Sequence, residues 1–200
     1  YYAEKAGIDP ADMVVVSVMP CTAKKYEANR PEMRDSGYQD VDYVLTTREL
    51  ARMFRQAGID LPSLPDEEFD NPLGIGTGAG TIFGTTGGVM EAALRTAAAW
   101  LEPGSPSPKI EFQEVRGIPF QVREATVTLD GVTLNVAVAN GLGAAGWLME
   151  EVSAGRKNYH FIEIMGCPGG CIGGGGQPIP AKGRDALDEV RLARIASLYT

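Results

Sequence analysis

The sequence lacks the residues from which many metal and nucleic-acid sites are built. Histidine occurs once, at His160, and 18 Lys and Arg residues are outnumbered by 26 Asp and Glu, giving a net charge of −8. Because phosphate binding needs clustered basic residues and these are scattered, we expect no nucleic-acid partner. A lone histidine is more often a core or edge residue than a ligand, so His160 is assigned no role. No acidic residue is assigned a catalytic role.

A long apolar run is also missing. The longest, residues 13–19, is interrupted by Ser17 and is far shorter than the roughly 20 residues that cross a bilayer. The start at Tyr1 has neither the basic nor the apolar region of a signal peptide, and the last helical pattern stops at Thr200 without a capping glycine. We therefore expect no membrane segment, and a partial domain over residues 1–200 that is truncated at both ends.

Cysteine is scarce and odd in number. Three cysteines, Cys21, Cys167 and Cys171, cannot form a complete set of internal disulfides. They suit a reducing compartment, in which thiols serve as ligands or nucleophiles. We expect a cytoplasmic protein, with a periplasmic location left open.

Hydrophobic periodicity predicts a mixed α/β fold of one globular unit. The β-branched run at residues 12–19 is typical of a strand buried on both faces, as in a parallel sheet, and it leads into Cys21. Asp130 and Gly131 lie between two alternating runs and predict a β-hairpin over residues 125–138. Further strands are predicted at 40–46 and 159–165, and helices at 22–29, 48–57, 89–101, 142–154 and 185–199. The cysteines fall just past strand ends, where ligands collect in such folds.

Cys167 and Cys171 lie in a loop with very few side chains. Glycines let a backbone wrap closely around a bulky ligand and direct N–H groups at anionic sulfides, which favours an iron-sulfur cluster. The alternatives are a glycine-rich surface turn with two bystander cysteines, and a zinc site, which normally adds a second cysteine pair or histidines. Residues 74–80 do not match the dinucleotide fingerprint, and no Gly-Lys-Ser/Thr follows a glycine loop, so nucleotide binding is not predicted.

Two segments resemble signature motifs of a known family. Residues 19–27 (MPCTAKKYE) and 161–178 (FIEIMGCPGGCIGGGGQP) are similar to the second and third motifs of FeFe hydrogenases, and residues 78–95 (GAGTIFGTTGGVMEAALR) also resemble that family. The resemblance covers essentially the whole chain. The family's first motif, Thr-Ser-Cys-Cys-Pro, is absent and is expected before Tyr1.

The resemblance implies a set of cluster-binding residues. The three cysteines are expected to supply three of the four thiolates of a 4Fe-4S cubane, and the last one also to bridge to a di-iron subcluster with carbonyl, cyanide and dithiolate ligands. Lys24 is expected to donate to a cyanide, and Met19, Met165 and Phe83 to pack against the di-iron unit. Taken alone, Lys24 would be a solvated lysine in a first helical turn and the apolar three would be core residues. The implied metal ligands are Cys21, Cys167 and Cys171.

The implied fold and function follow the family. We expect mixed sheets flanked by helices, as part of a two-lobed catalytic domain with the cluster between the lobes. The reaction is reversible dihydrogen oxidation and proton reduction, with electrons exchanged with a ferredoxin, a nicotinamide-linked subunit or a cytochrome. Alternatives are a hydrogenase-like sensor, an iron-sulfur electron-transfer module without fast turnover, and a glycine-rich structural domain without metal. The proton-delivering cysteine belongs to the first motif, so we expect the isolated chain to be inactive.

Overall fold

A computed structural model describes residues 1–74, 78–104, 110–116, 121–181 and 183–199, apart from the side chains of residues 184 and 185. The chain divides into two compact units, Tyr1–Gly76 with Gly174–Arg184, and Thr77–Gly173 with Asp185–Thr200. This division differs from the one globular unit expected from the sequence. Residues 75–77 of the glycine-dense stretch lie outside the described residues.

The first unit is built on a short parallel sheet. Its elements in chain order are α1 (Tyr2–Ala6), β1 (Val16–Met19), α2 (Lys24–Glu27), β2 (Tyr43–Thr46) and α3 (Thr47–Ala57). The strands pair in parallel, with Val16 opposite Tyr43. Helix α3 begins with a capping box, in which Thr46 and Glu49 bond each other's backbone N–H, and ends at Gly58 with φ 70°. The predicted helix at 48–57 and the parallel pairing are confirmed.

The predicted burial of the first strand is wrong. The strand begins only at Val16, since Pro10–Asp12 forms a 3-10 turn, and Val14, Val16 and Val18 are 69%, 50% and 45% exposed. Within the part of the chain that the structure describes, β1 pairs with β2 alone. The β-branched residues therefore favour the strand, as predicted. Among the described residues, however, no apolar side chains bury Val14, Val16 and Val18.

The second unit is a mixed sheet between helices. Its elements are α4 (Ala79–Ile82), α5 (Gly88–Leu101), β3 (Gln113–Glu114), β4 (Gln121–Leu129), β5 (Val132–Asn140), α6 (Leu142–Ser153), β6 (Phe161–Met165) and α7 (Leu187–Leu198). The strand order is β3-β4-β5-β6, with β5 and β6 parallel and the other pairs antiparallel. The predicted hairpin turning at Asp130 and Gly131 is confirmed.

Alternating residues of β5 build the core on both faces of this sheet. Val136 and Val138 pack with Met90 and Leu94 of α5, in one apolar cluster. Their neighbours Ala137 and Ala139 pack with Ala144 and Leu148 of α6 in a second cluster. The predicted class, mixed sheets flanked by helices, is confirmed, because successive strand residues point to opposite faces and each face carries a helix.

Candidate functional site

Cys21 lies in the turn between β1 and α2, and its side chain is partly buried. Because β1 and β2 are parallel, both strands end at the edge of the sheet next to this turn. Lys25 fixes α2 to the same edge, since its Nζ donates to the Val44 carbonyl oxygen at 2.7 Å and pairs with Glu49 Oε2 at 2.9 Å. The turn that carries Cys21 is thus attached to both the sheet and α3.

The glycine-rich tail at residues 174–176 packs on this edge of the first unit. The Gly176 N–H donates to the Pro20 carbonyl oxygen at 2.8 Å, and the Arg48 N–H donates to the Gly176 carbonyl oxygen at 3.2 Å. A Cβ at Gly176 would lie 2.9 Å from Thr46 Cβ and 3.0 Å from the Pro20 oxygen, so this approach requires glycine. Pro20 and Gly176 belong to the two segments that carried the family resemblance, and the structure brings them into contact.

Met19 and Lys24 line one small cavity of about 130 Å³, together with Glu27 and Met33. Lys24 Nζ donates to Glu27 Oε1 at 2.7 Å, and both side chains are about two-fifths exposed. A cation in a first helical turn faces the unfavourable end of the helix dipole, and here Glu27, three residues on, supplies the offsetting negative charge. A half-exposed pair of this kind is worth roughly 0.3 to 0.5 kcal/mol, so Lys24 can exchange Glu27 for a stronger anionic partner at little cost.

Asn140 connects the start of the cysteine loop, residues 167–173, to the four-stranded sheet through hydrogen bonds. It is the last residue of β5 and lies opposite Met165, the last residue of β6. Its Nδ2 donates to the Cys167 carbonyl oxygen at 2.5 Å and to Thr86 Oγ1 at 3.1 Å. One amide group therefore fixes the backbone of Cys167 against both the sheet and Thr86.

Residues 84–86, which we call the platform, support the rest of the cysteine loop. The Thr86 N–H donates to the Gly169 carbonyl oxygen at 3.1 Å, and the Ile172 N–H donates to the Gly84 carbonyl oxygen at 3.0 Å. Cys171, which precedes Ile172, is exposed. The loop is thus bonded to the platform on both sides of Cys171.

The loop glycines are required by the chain's own packing as well. Gly170 has φ +91°, and a Cβ there would lie 2.7 Å from the Thr86 nitrogen. A Cβ at Gly173 would lie 1.9 Å from the Pro168 carbonyl oxygen. Gly166 differs, since a Cβ there would meet nothing within 4 Å. The glycines were predicted to accommodate a bulky ligand, with a surface turn as the alternative, and two of them are also required by contacts within the chain itself.

Phe83 and Met165 lie at the two borders of this arrangement. Phe83 directly follows α4, directly precedes the platform and is 46% exposed. Met165 ends β6 at the base of the cysteine loop, and its carbonyl oxygen accepts from the Gly141 N–H at 2.7 Å. The second unit therefore contains four of the predicted site residues: Cys167 and Cys171 in the loop, Met165 two residues before Cys167, and Phe83 directly before the platform.

Glu163 is a functional candidate that was not predicted from the sequence. This carboxylate of β6 is only 6% exposed, and it accepts from the backbone N–H groups of Gly87 at 2.6 Å and Met90 at 2.8 Å. These are N–H groups at the start of α5, where a helix leaves donors without intrahelical partners. Glu163 therefore links β6, which leads to Cys167, to the helix that follows the platform. A charged residue inside an apolar strand was the signal available in the sequence.

The donor set of the cysteine loop fits an iron-sulfur group. All three cysteines lie among the described residues and none forms a disulfide, so each sulfur is in the reduced state from which a thiolate ligand of iron is formed. Arg191 Nε is buried and finds no hydrogen-bond partner among the described residues, as expected of a donor beside an anionic group. The described residues contain no group of three or more His, Cys, Asp and Glu side chains placed to hold a single metal ion.

His160 is occupied by backbone contacts at the sheet. Its Nδ1 accepts from the Asn135 N–H at 3.0 Å, and its own N–H donates to the Asn135 carbonyl oxygen at 2.8 Å. These two hydrogen bonds hold His160 beside β5. It accounts for the residue without a ligand role.

Comparison with known proteins gives a consistent family. Residues 1–175 match the model of the iron only hydrogenase large subunit, C-terminal domain. The chain is 54% identical over 178 residues to the NADP-reducing hydrogenase subunit HndD of Solidesulfovibrio fructosivorans, covering 89% of the chain and 30% of that protein. It is 47% identical over 198 residues to the periplasmic Fe hydrogenase large subunit of Nitratidesulfovibrio vulgaris, covering 99% of the chain and 47% of that protein.

The solved structures agree with these relatives. An apo form of the FeFe-hydrogenase HydA1 variant from Chlamydomonas reinhardtii superimposes with a TM-score of 0.77 at 44% identity, covering 98% of the chain and 55% of that structure. More distant relatives include cytosolic iron-sulfur assembly component 3 of Mus musculus, 34% identical over 206 residues, covering 100% of the chain and 42% of that protein. The chain spans about half, or less, of the length of the curated relatives it matches. Among the described residues, no helix is long and apolar enough to cross a membrane.

Proposed function

This chain belongs to the family of iron-only hydrogenase large subunits, and we propose that its parent protein catalyses reversible dihydrogen oxidation and proton reduction. The family is one of iron-sulfur oxidoreductases with an H-cluster. When bound, the cluster supplies the redox chemistry, in which a 4Fe-4S cubane exchanges electrons with a di-iron subcluster carrying carbonyl, cyanide and dithiolate ligands. The protein contributes ligands, orientation and electrostatics.

The observation that carries the proposal is the support of the cysteine loop. Cys167 and Cys171 lie in a loop whose backbone is held by the platform and by Asn140. Besides these two cysteines, the loop consists of three glycines, Pro168 and Ile172. A redox cluster needs ligands that stay in place in both oxidation states, and bonded loops of this kind provide such preorganisation. We propose Cys21, Cys167 and Cys171 as thiolate ligands of the cubane, with Cys171 also bridging to the di-iron unit.

The remaining site residues would act on the di-iron ligands. Lys24 would exchange its contact with Glu27 for a charge-assisted hydrogen bond to a cyanide. Met19 and Met165 would pack soft thioethers beside the di-iron unit, and Phe83 would line the carbonyl side. These roles are consistent with the cavity that Met19 shares with Lys24, and with the positions of Phe83 and Met165 next to the loop and its support.

The electron partner and the cellular location of the protein are proposed from the names of its relatives and from its cysteine content. A subunit of an NADP-reducing hydrogenase is among the relatives, which favours a nicotinamide-linked partner for this protein, with a ferredoxin as the alternative. Dihydrogen and protons are the proposed substrates. The odd number of cysteines favours a cytoplasmic location, although one relative is named as periplasmic, so location stays a prediction.

A second candidate is an iron-sulfur protein without hydrogen turnover. It is supported by the relatives named as cytosolic iron-sulfur assembly components, which are 34% to 36% identical. The hydrogenase relatives are closer, at 45% to 54% identity. The presence of Met19, Lys24 and Met165 also favours the enzyme, because a cubane alone needs only cysteines.

Infrared spectroscopy of the anaerobically purified full-length protein distinguishes the two candidates. We expect bands of iron-bound carbonyl and cyanide, together with hydrogen evolution from a strong reductant. A cubane without these bands and without turnover would favour the second candidate, and a colourless protein without iron would exclude both.

Lys24→Ala tests the role of the lysine within this function. The substitution should leave cubane iron largely unchanged and weaken the infrared bands, because the proposed partner of Lys24 is a ligand of the di-iron unit. Glu27→Gln is the matched control, since it removes the ion-pair partner but keeps the lysine. Loss of cubane iron with surviving infrared bands in Lys24→Ala would contradict the assignment.

A further inference from the structure

We propose that Arg191 and Arg194 of α7, here called the arginine pair, raise the reduction potential of the cubane held at the cysteine loop. The inference rests on the proposed function, because it concerns a cluster that those thiolates would bind. Both arginines lie on a helix outside the segments that carried the family resemblance, and outside residues 1–175 matched by the family model. The sequence analysis gave them no role.

Arg191 lies along the cysteine loop on both sides of Cys171. A Cβ at Gly169 would lie 3.4 Å from Arg191 Cδ, and a Cβ at Gly173 would lie 3.3 Å from Arg191 Nε. The arginine side chain therefore lies against the loop backbone at both positions, in ordinary van der Waals range of a Cβ at Gly169 and in tight contact with one at Gly173. The Nε atom is buried and has no hydrogen-bond partner among the described residues, so its donor is directed into the loop without a protein acceptor there.

Arg194 contacts the residue that follows Cys171. Its Nη1 donates to the Ile172 carbonyl oxygen at 2.8 Å, and the side chain is partly buried. Cys171 and Ile172 belong to one 3-10 turn, Cys171–Gly173. Two guanidinium groups from one face of α7 thus contact the same short turn, three residues apart on the helix.

The pair places positive charge next to the proposed cluster. A guanidinium stays protonated at any physiological pH, and partial burial reduces screening by water and salt. The ion-pair partner of Arg191 is Asp188 Oδ1 at 2.8 Å, and because the Asp188 side chain is 89% exposed, water weakens its opposing charge without removing it. Positive charge stabilises the reduced cluster, which carries one more electron, and net charge is one of the factors that set cluster potentials.

The alternative is that the arginines only fasten α7 to the loop, and charge-preserving variants separate the two roles. The test is a redox titration, followed by electron paramagnetic resonance, of the full-length protein isolated with its cubane but without the di-iron subcluster. Arg191→Gln and Arg194→Gln should each shift the midpoint potential to more negative values, and the double variant should shift it by about the sum. Arg191→Lys and Arg194→Lys should stay near the parent value.

Two further variants complete the experiment. Asp188→Asn should move the potential to more positive values, because it removes the opposing charge at an exposed position that does not endanger folding. Arg95→Gln, which removes an arginine paired with Glu91 on α5, should leave the potential at the parent value.

The inference would be overturned if the glutamine variants kept both their iron and the midpoint potential of the unsubstituted protein. It would also be overturned if the lysine variants shifted the midpoint potential as far as the glutamine variants do. If the glutamine variants lose the cubane, their potential cannot be measured and Asp188→Asn becomes the test. An unchanged midpoint potential in Asp188→Asn would then refute the role of charge. If the unsubstituted full-length protein has no reducible cubane, the proposed function itself is wrong. If it has a cubane whose midpoint potential does not change in the arginine variants, only the proposed role of the arginine pair is wrong.

Discussion

The two cysteine-bearing segments of this chain are held in different ways. The turn with Cys21 projects from a two-stranded sheet with exposed valines, and the buried apolar residues described in its unit, Ala3 and Ala28, are small. The cysteine loop at 167–173 rests on a unit that contains all the largest fully buried side chains, among them Met90 and Leu148. The loop is therefore positioned by a packed core, and the Cys21 turn by a small number of hydrogen bonds.

Because of this difference, we expect the two segments to differ in how strongly a substitution lowers stability. Burial of large apolar side chains supplies most of the free energy of folding, and a loop bonded to such a core shares its stability. The Cys21 turn depends on contacts such as Gly176 to Pro20 and Lys25 to Val44. We expect substitutions at the loop to cost more than substitutions at the turn.

Gly170→Ala should have the largest effect. The methyl group would lie 2.7 Å from the Thr86 nitrogen, at a residue with φ +91°, so strain and steric overlap add. We expect a loss of about 3 kcal/mol or more in the free energy of unfolding of the second unit. Urea unfolding followed by tryptophan fluorescence measures it, because both tryptophans of the chain, Trp100 and Trp147, lie in α5 and α6.

Gly166→Ala is the matched control for that substitution. The added methyl meets nothing within 4 Å, and alanine restricts the unfolded chain, so stability should be unchanged or rise by about 0.5 kcal/mol. Equal costs at the two glycines would show that the platform does not set the shape of the loop.

Glu163→Ala should have the next largest effect. It leaves the buried N–H groups of Gly87 and Met90 without their carboxylate acceptor, at a cost of about 2 to 3 kcal/mol. The same tryptophan-monitored unfolding reports it, with Glu150→Ala on the exposed side of α6 as the control, expected within about 0.5 kcal/mol of the parent. A change at Glu163 no larger than at Glu150 would remove the carboxylate from the account of how β6 and α5 are joined.

Thr46→Ala probes the first unit and should cost less, about 1 kcal/mol, through loss of the cap of α3. Hydrogen exchange of the α3 amides measures this local effect, and Thr46→Ser, which retains the hydroxyl, should restore protection. If Thr46→Ala lowered the tryptophan-monitored stability of the second unit as much as Gly170→Ala, the contrast between the two units would be wrong.

The smallest effect is a pH dependence in the same capping box. Hydrogen bonds from the Thr46 backbone, then Lys25 and the Thr46 hydroxyl, lower the pKa of Glu49 from 4.5 to about 2. A carboxyl with a lowered folded-state pKa stabilises α3 fully above its unfolded pKa, and this stabilisation is lost as the pH falls toward 2. Amide exchange of α3 should therefore accelerate between pH 4 and pH 2 more in the parent than in Glu49→Gln. Identical profiles would show that Glu49 does not stabilise the helix through its charge.

Local patterns predicted much of this fold because their causes are local. The turn at Asp130 and Gly131 requires positive φ at both residues, which the structure has, and the helix that ends at Gly58 uses the same glycine property. The cysteines were predicted as ligands because closely spaced cysteines among many glycines are typical of cluster-binding loops. The roles of Met19, Lys24, Phe83 and Met165 came from the family resemblance alone. The exposed β1 was predicted incorrectly, since β-branched composition forms a strand but does not state what covers it.

The supports of the cysteine loop could not be predicted in this way. Asn140 is 27 residues from its acceptor Cys167, and Glu163 is 76 residues from Gly87. Such contacts depend on how β5 and β6 pair and where α5 begins, and no local periodicity encodes this. Likewise, the sequence around Arg191 predicts only a polar residue of a helix, because its contacts are with the cysteine loop, which lies far from it in the sequence.

Cys21, Cys167 and Cys171 are proposed as ligands of an iron-sulfur cluster, and the amount of bound iron is the decisive test of this proposal. The measurement is iron bound per chain in the anaerobically purified full-length protein, for the parent and for Cys21→Ser, Cys167→Ser and Cys171→Ser. We predict a clear loss of iron in each variant, together with loss of hydrogen turnover, since each substitution removes one thiolate. Undiminished iron and turnover in any one variant would contradict the claim for that cysteine.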